Sequence, residues 1–295
     1  MSGELFVRFW GVRGSIPTPG PRTRRYGGNT SCVEVRAGKT LLVFDAGTGL
    51  RELGVHLGRR NEAPLTVHLF LSHPHWDHIQ GFPFFGPAYD SSTTIYVYGP
   101  KGDDKHYQLL SGQMSNAYFP VRFSDLGAKI VPRSFKGHAV EAGDAQVHLF
   151  SQKHPGGSLG FRVEYAKKSV VFSTDNELDQ LLKDKKAAAA RPDELRAFPS
   201  ELLEPIRDAD LLIADAQYTD EEYDAKVGWG HPRSNTVVDF AGQAGVKRLA
   251  LTHHDPMHSD REIDVLVSEG ELRARRLGYE ELEVFGAREG VTLKI

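Results

Sequence analysis

A six-residue run of metal-binding side-chain types constrains this chain more than any other part of its sequence. The run follows the apolar segment 65–71, whose composition predicts a buried strand, so it lies where loops carry catalytic groups in layered α/β folds. It consists of His73-Pro74-His75-Trp76-Asp77-His78. Imidazole and carboxylate suit zinc and its first-row neighbours, and four such groups in one turn would be costly if nothing bound them. We therefore predict a metal site here, in preference to a solvated histidine-rich loop.

Three further polar residues are candidate ligands because each comes just after a strand-like apolar segment. His154 follows 145–151, Asp175 follows 169–173 and His253 follows 247–252. Taken singly, a loop His or Asp is more often a turn or capping residue. Their shared placement would let them converge on one rim of a layered sheet. His254 is adjacent to His253 and stays open as the alternative ligand.

The order of these residues resembles the metallo-β-lactamase-fold hydrolases, from Phe6 to about Leu277. The resemblance implies two divalent metal ions, zinc or alternatively manganese. The residues implied as ligands are His73, His75 and His154 for one metal, Asp77, His78 and His253 for the other, and Asp175 as the bridge. Asp45 resembles the first-motif Asp of that family, which braces the metal loop without binding metal.

Two further stretches resemble the phosphodiesterase branch that includes tRNase Z. They are 211–218 and 230–236. The resemblance implies that His231 approaches the scissile phosphate and that Asp215 holds its ring. Pro232 follows His231 where the family usually has Ser or Thr, which leaves the shape of this loop open. The alternative is that His231 makes a contact at a helix N-terminus without a catalytic role.

The expected reaction is hydrolysis of a phosphodiester by attack of a metal-bridging hydroxide. Two metals roughly 3.5–4 Å apart can bind the attacking and leaving oxygens of an in-line displacement and can ionise a bridging water near neutral pH. Asp77 would accept or orient the proton of that water. His231 would donate to a phosphate oxygen or to the leaving oxygen, with its ring oriented by Asp215.

Net charge favours a small substrate. The chain carries a formal charge of −3, whereas affinity for RNA depends on clustered Lys and Arg. We therefore expect a small anionic cyclic phosphodiester such as a cyclic nucleotide, and no extended nucleic-acid binding. Three alternatives stay open: a tRNase Z-like RNA-processing endonuclease, a hydrolase of carbon esters or lactams on the same metals, and a non-catalytic metal-binding regulator.

Several segments could shape the substrate pocket. The loop 11–30 holds Arg13, Arg22, Arg24 and Arg25, which predict either a solvated loop or a phosphate-contacting rim. The aromatic-rich stretch 81–136 contains 113–120, which resembles bacterial cyclic-nucleotide phosphodiesterases. Its rings could stack on a nucleobase or simply pack in the core. Trp229, two residues before His231, could wall the site.

Composition bounds the cellular context. Cys32 is the single cysteine, which excludes an internal disulfide, fits a reducing cytoplasm and predicts a core residue. It also excludes the cysteine-rich structural zinc of the related phosphoribosyl cyclic phosphodiesterase. The sequence has no run of eighteen apolar residues and no signal-peptide pattern, so we expect a cytoplasmic protein without a membrane partner. The resemblance allows a homodimer.

Alternating strand and helix patterns predict an α/β fold, an αββα sandwich of two mixed β-sheets flanked by helices. The strands are predicted near 5–10, 31–36, 40–45, 66–71, 94–98, 146–151, 158–164, 169–173, 210–214 and 247–252, with helices near 49–60, 234–244 and 260–276. We expect a single hydrolase domain over 1–295, with a surface insertion near 178–199. Arg273, Arg275 and Arg276 are expected on a solvated helix face.

Overall fold

The computed structural model describes residues 3–60, 64–99, 105–135 and 137–295, which contain fourteen strands. The first six strands are β1 Leu5–Gly11, β2 Cys32–Ala37, β3 Thr40–Phe44, β4 Leu65–Phe70, β5 Thr93–Gly99 and β6 Lys129–Ser134. The others are β7 Ala139–Ala142, β8 Ala145–Gln152, β9 Ser158–Tyr165, β10 Lys168–Ser173, β11 Leu211–Asp215, β12 Arg248–Thr252, β13 Glu283–Gly286 and β14 Thr292–Lys294.

The strands form two seven-stranded sheets with the same internal plan in the described part of the chain. The first has the order β14-β1-β2-β3-β4-β5-β6 and the second the order β13-β12-β11-β10-β9-β8-β7. In the first sheet the ladders are antiparallel from β14 to β3 and parallel from β3 to β6. In the second they are antiparallel from β7 to β10 and parallel from β10 to β13. Each sheet therefore presents the carboxyl ends of four parallel strands at one edge.

Helices cover the outer faces of the sheets. They are α1 Gly49–Arg60, α2 Trp76–Ile79, α3 Lys105–Gln113, α4 Lys185–Ala190, α5 Ser200–Leu203, α6 Asp220–Tyr223, α7 Ser234–Gln243 and α8 Asp260–Arg276. The start of α8 is fixed by a capping box in which Ser259 and Glu262 each bond the other's backbone N–H. Among the described residues, the helices lack the length and apolarity needed to span a bilayer.

The principal core lies between the two sheets. Its centre is a group of phenylalanines from both, including Phe44, Phe70 and Phe161, with the rings of Phe44 and Phe70 stacked 5.2 Å apart. Burying each such side chain contributes roughly 1.5–3 kcal/mol. Cys32 is fully buried, as predicted, in a second cluster beneath α1. This arrangement confirms the predicted αββα sandwich.

The predicted elements match the observed ones to within about two residues, but several short elements were not predicted. These are β6, β7, β13, β14 and α3, together with α2, α4, α5 and α6. Strand β6 is largely exposed and contains Pro132, so it lacks the apolar alternation that marks a half-buried strand. It pairs through its backbone with β5, a tertiary contact that local composition does not reveal.

The expectation of a solvated arginine face on α8 is wrong for Arg273. This side chain is 2% exposed, and its Nε and Nη2 donate to Asp239 Oδ1 and Oδ2 at 2.5 and 2.6 Å. The bidentate pair joins α8 to α7 in the core and offsets the cost of burying both charges. Arg276, in contrast, lies at the surface and pairs with exposed Asp193.

The segment 178–199, expected as a surface insertion, is anchored in the core at several points. The apolar side chains of Leu178, Leu182, Ala188 and Phe198 belong to the buried cluster between the second sheet and its helices. Residues 183–186 and 189–195 are exposed. The charged part of the segment thus lies at the surface, while its ends pack against the domain.

Candidate metal centre

Three of the predicted site residues lie just past the carboxyl ends of parallel strands from both sheets. Asp45 follows β3, Asp175 follows β10 and His253 follows β12. All three have a left-handed backbone, with φ of 62°, 55° and 58°. That conformation is uncommon for residues other than Gly, although Asp and His adopt it more readily than most. Its recurrence at these strand ends marks a constrained site.

The first ligand group combines three imidazoles and one carboxylate. The members are His73, His75, His154 and Asp175, whose ligand atoms all lie within 4.8 Å of one another. His75 Nδ1 is 3.1 Å from His154 Nε2. Asp175 Oδ2 is 3.5 Å from His73 Nε2 and 3.6 Å from His154 Nε2. This is the donor set predicted for the first metal.

The second ligand group consists of Asp77, His78 and His253. Asp77 Oδ2 lies 3.2 Å from His78 Nε2 and 3.1 Å from His253 Nε2. Asp175 Oδ1 is 3.2 Å from each of the same two nitrogens. Since Asp175 Oδ2 faces the first group, the two oxygens of one carboxylate face both groups, as a bridging ligand would.

His254 lies outside these groups. Its Nε2 is 3.0 Å from the carbonyl oxygen of Ala287 and donates to it, and its ring packs edge-on against Tyr26. Burial lowers the pKa of His254 to about 3, so the ring is neutral. Of the two adjacent histidines, the structure brings His253 into the cluster.

Asp45 braces the first sheet's contribution, as the resemblance implied. Its carboxylate accepts hydrogen bonds from Ser72 N at 2.8 Å and His78 Nδ1 at 2.6 Å. It also accepts from the hydroxyls of Ser31 and Ser72 at 3.1 and 3.0 Å. Fixing Nδ1 as a donor leaves the Nε2 lone pair of His78 directed at the cluster.

The second sheet's histidines are oriented in the same way by other groups. His253 Nδ1 donates to Gln217 Oε1 at 2.9 Å, and His154 Nδ1 donates to the Gly230 carbonyl at 3.0 Å. Gln217 was not identified from the sequence. Its position two residues after Asp215 in a buried strand end was the available signal, but a lone Gln has no spacing that marks it as a partner of a ligand.

The donor atoms fit bound cations. With Nδ1 of both His78 and His253 donating to the protein, their Nε2 atoms face each other at 3.3 Å, where two lone pairs would repel unless a cation or proton lay between them. His73 Nε2 is buried without a hydrogen-bond partner. Buried polar atoms in this state call for an explanation, and a metal ion supplies one.

The charges of the surrounding side chains also stabilise positive charge between the two ligand groups. Burial opposes ionisation of Asp77 and Asp175, but nearby His78 and His253 outweigh it, so the pKa of each carboxyl lies well below its usual range. Burial likewise opposes protonation of His253, yet Asp175 and Asp215 raise its pKa to about 9. The site is therefore a pocket of ionised carboxylates that attracts cations.

His231 lies beside the ligand groups with its ring oriented by Asp215. Its Nδ1 donates to Asp215 Oδ2 at 2.7 Å, and its ring stacks on that of His253 with centroids 4.9 Å apart. It is 8% exposed. Asp215 is itself fixed because its Oδ1 accepts from Gln217 N at 3.1 Å. His231 and Asp215 also form, with Asp175 and His253, a third group whose possible ligand atoms all lie within 4.8 Å of one another.

The loop that carries His231 is held by two carboxylates that sequence reasoning missed. Glu177 accepts from Gly228 N at 2.6 Å and from Gly230 N at 3.2 Å. Asp179 accepts from Arg233 N at 2.9 Å. Both are buried and closely follow Asp175. The density of carboxylates in 175–179 was the signal, but only the fold shows what they contact.

The N-terminal loop also supports the centre. Ser15 N donates to Asp77 Oδ2 at 2.7 Å. Gly14 is needed beside it, because a Cβ there would lie 2.4 Å from His253 Nδ1. Arg13 is fully buried and donates to the carbonyls of Asp255 and His258, which fixes the loop after His253.

For three of the four arginines of the loop 11–30, the contacts argue against a phosphate-binding rim, whereas Arg24 is exposed. Arg13 is structural, and the guanidinium groups of Arg22 and Arg25 form surface ion pairs with Glu262 and Asp264 of α8. Part of the aromatic stretch 81–136 is core, since Phe82 and Phe85 are buried and Phe119 and Phe123 pack against them in part. Phe84, Tyr89 and Tyr118 are exposed, as is Trp229 outside this stretch.

Comparison with known proteins identifies similar chains. Ribonuclease Z of Haloarcula marismortui is 25% identical over 281 residues, covering 84% of this chain and 85% of that protein. Ribonuclease Z of Methanosarcina acetivorans is 26% identical over 293 residues, covering 87% and 89%.

Solved structures share the fold at lower identity. The metallo-beta-lactamase fold protein YhfI from Bacillus subtilis superposes with a TM-score of 0.68 at 19% identity, covering both chains fully. A diphosphatase from the PhnP family gives 0.65 at 17%, covering 99% of this chain and 98% of that one. Human tRNase Z, short form, gives 0.61 at 18%, covering 98% of each.

A family model described as "Beta-lactamase superfamily domain" matches residues 40–254, the part of the chain that contains every predicted ligand. The cluster of His and Asp side chains, which lies where strands of both sheets end, is able to hold metal ions. The chain therefore belongs to the beta-lactamase superfamily and is a metal-dependent hydrolase of the metallo-β-lactamase fold.

Proposed function

We propose that this protein is a dinuclear phosphodiesterase that hydrolyses a small cyclic phosphodiester such as a cyclic nucleotide. The observation that carries the proposal is the 2.7 Å bond from His231 Nδ1 to Asp215, which presents Nε2 of a buried imidazole beside two ligand groups. A phosphoryl group held at those ligand groups would lie next to this nitrogen. A hydrolase of carbon esters or lactams would have no phosphate for His231 to contact.

Two divalent cations, zinc or manganese, would be held as the donor groups suggest. One would take His73, His75 and His154, the other would take Asp77, His78 and His253, and Asp175 would contact both. When bound, such a pair supplies Lewis-acid chemistry, polarising the phosphoryl oxygens and lowering the pKa of water.

The chain's own residues would bind the substrate and move protons. His231 would donate a hydrogen bond or a proton from Nε2 to a phosphoryl oxygen or to the leaving oxygen. Asp215 would keep the ring in the tautomer with Nδ1 protonated and would stabilise its cationic form. Asp77, held through Oδ2 by Ser15 N, would orient the attacking water and accept its proton.

We propose a small substrate because the protein has no net positive charge with which to bind a long polyanion. The net charge is −3, and of the four arginines in the loop 11–30, Arg13 is buried and Arg22 and Arg25 are paired with carboxylates. A long polyanion would gain little binding energy from such a surface. A small ester needs only the cationic centre itself.

The second candidate is a ribonuclease Z-like activity, which the similarity to proteins of that name favours. The two candidates share the site and differ in the size of the substrate. Salt dependence separates them, because an extended RNA contact weakens steeply as salt rises.

The test is hydrolysis by the zinc- or manganese-loaded protein across cyclic nucleotides, dinucleotides, pre-tRNA and carbon esters. We expect turnover of a cyclic nucleotide, reduced by roughly 10²- to 10⁴-fold in His231→Ala and unchanged in a control, His138→Ala, since His138 is exposed. Cleavage of pre-tRNA alone would favour the second candidate. Turnover of carbon esters alone would refute phosphodiester chemistry.

Three further features belong to the same proposal. The chain would act as one hydrolase domain, since the site draws on both sheets. It would reside in the cytoplasm, where the buried thiol of Cys32 stays reduced. It would form a homodimer, which light scattering on the purified protein would measure.

A further inference from the structure

Two of the three tryptophans in the sequence are exposed, and both adjoin the metal centre in the chain. Trp76 and Trp229 are 61% and 62% exposed, whereas Trp10 is 7% exposed and donates to Glu34. A single exposed apolar side chain needs no explanation. Two exposed indoles that are chain neighbours of the same candidate metal centre do need one, because each leaves a large apolar face in water.

Both tryptophans are attached to residues that contact His154. Trp76 directly follows His75, whose Nδ1 is 3.1 Å from His154 Nε2. Trp229 directly precedes Gly230, whose carbonyl accepts from His154 Nδ1 at 3.0 Å. The two exposed indoles are thus carried by segments that meet the two ring nitrogens of a single candidate ligand.

The backbone at both positions is held firmly. Gly230 has a φ of 96°, and a Cβ there would lie 2.2 Å from His154 Nδ1, so its loop is packed against the ring. Glu177 accepts from the backbone of Gly228 and Gly230 on either side of Trp229. Trp76 begins α2, and its carbonyl accepts from Gln80 N at 2.8 Å. The backbone that carries each ring is therefore ordered before binding, which lowers the cost of placing the indole on a ligand.

We propose that Trp76 and Trp229 form an aromatic pair that stacks on the nucleobase of the substrate while its phosphate occupies the metal centre. This inference rests on the proposed function and names the substrate class more closely, as a nucleotide. Aromatic side chains bind bases through their π-faces with little sequence preference, so the pair would accept more than one base.

The size of the effect follows from measured stacking. Alanine substitution of a stacking residue weakens binding by a factor of roughly 5 to 150 per base. Removal of both indoles should therefore abolish the additional affinity that a nucleobase gives to a ligand. It should leave the affinity for the phosphate unchanged, because neither indole belongs to a ligand group.

The experiment compares two monophosphates that differ only in the base. Isothermal titration of the metal-loaded protein would measure the affinity for adenosine 5′-monophosphate and for ribose 5-phosphate, in the natural chain and in Trp76→Ala/Trp229→Ala. A matched control is Leu272→Ala, because Leu272 is also 62% exposed but lies on α8.

We expect the natural chain and the control to bind the nucleotide at least roughly fivefold more tightly than the sugar phosphate. The double variant should bind both equally, with the ribose 5-phosphate affinity of the natural chain. Failure to bind the nucleotide, equal affinities in the natural chain, or a base preference kept by the double variant would overturn the inference. Binding requires no turnover, so base-dependent binding without hydrolysis of any phosphodiester would support the inference and refute the proposed activity alone.

Discussion

The two sheets end in similar ways, yet they contribute to the candidate metal centre by different means. The first sheet supplies four candidate ligands from one short run, 73–78, after β4. The second supplies His154, Asp175 and His253 from loops after three separate strands, β8, β10 and β12. The first contribution is encoded locally, whereas the second exists only when the whole sheet has formed.

The supporting contacts differ in the same sense. One buried carboxylate, Asp45, fixes the first run through Ser72 and His78. In the second sheet the neutral amide of Gln217 orients His253, and Glu177 and Asp179 hold the loop of His231. The comparison indicates that a single carboxylate holds the first run, whereas an amide and two carboxylates from separate positions in the chain hold the residues of the second sheet.

The largest effect is expected where the two contributions meet, at Asp175. Asp175→Ala removes the carboxylate that faces both ligand groups. Since bound metals contribute several kcal/mol to the transition state, hydrolysis should fall by roughly 10³-fold or more, and metal content should drop by at least one ion per chain. Metal analysis and turnover measure this. Asp144→Ala, which removes an exposed carboxylate, is the control. Unchanged metal content would show that the two contributions do not share a ligand.

A somewhat smaller loss is expected for the residues that act without holding metal. His231→Ala and Asp215→Asn should each reduce turnover by roughly 10²- to 10⁴-fold, the range for a general acid or base, with metal content unchanged. Steady-state kinetics and metal analysis on the same samples check this. Loss of metal in His231→Ala would mean that the imidazole is a ligand. The second sheet would then supply four metal ligands instead of three.

The two supporting residues offer a direct comparison of the two sheets. Groups that orient metal-bound histidines typically affect metal affinity by 10- to 100-fold. Asp45→Asn should weaken metal affinity by roughly 100-fold, because it removes a charge-assisted hydrogen bond to His78. Gln217→Leu should weaken it by roughly 10-fold, because it removes a neutral hydrogen bond. Competition with a chelator measures both. A greater loss for Gln217→Leu would reverse our comparison.

The smallest effect is expected on stability rather than on turnover, at His68 in the first sheet, which belongs to neither ligand group. Burial and the nearby Arg133 lower the pKa of His68 from 6.5 to about 4, and its Nδ1 lies 2.7 Å from the Tyr98 hydroxyl. Between pH 6.5 and 4 the unfolded chain binds a proton at this site that the folded chain does not. The free energy of unfolding should therefore decrease as pH falls through that window. His68→Gln should make this decrease shallower in urea titrations, and an equal slope in both proteins would contradict the assignment.

The features that could be predicted from the sequence are those that a short stretch of chain determines. The run 73–78, the strand ends and the principal helices could be predicted because periodicity and ligand chemistry lie within a few residues. Gln217, Glu177 and Asp179 could not be assigned, because their partners are distant in the chain. Arg273 resembled a surface residue for the same reason: its partner Asp239 lies on another helix. Strand β6 was missed because backbone pairing, rather than an apolar pattern, defines it.

The most direct test of the central claim is the number of metal ions per chain, measured by mass spectrometry together with cyclic-nucleotide hydrolysis as a chelator removes them. Our account predicts two zinc or manganese ions per chain and a loss of turnover in step with their removal. Full hydrolysis by chains that hold no metal, or saturation at a single ion per chain, would contradict it.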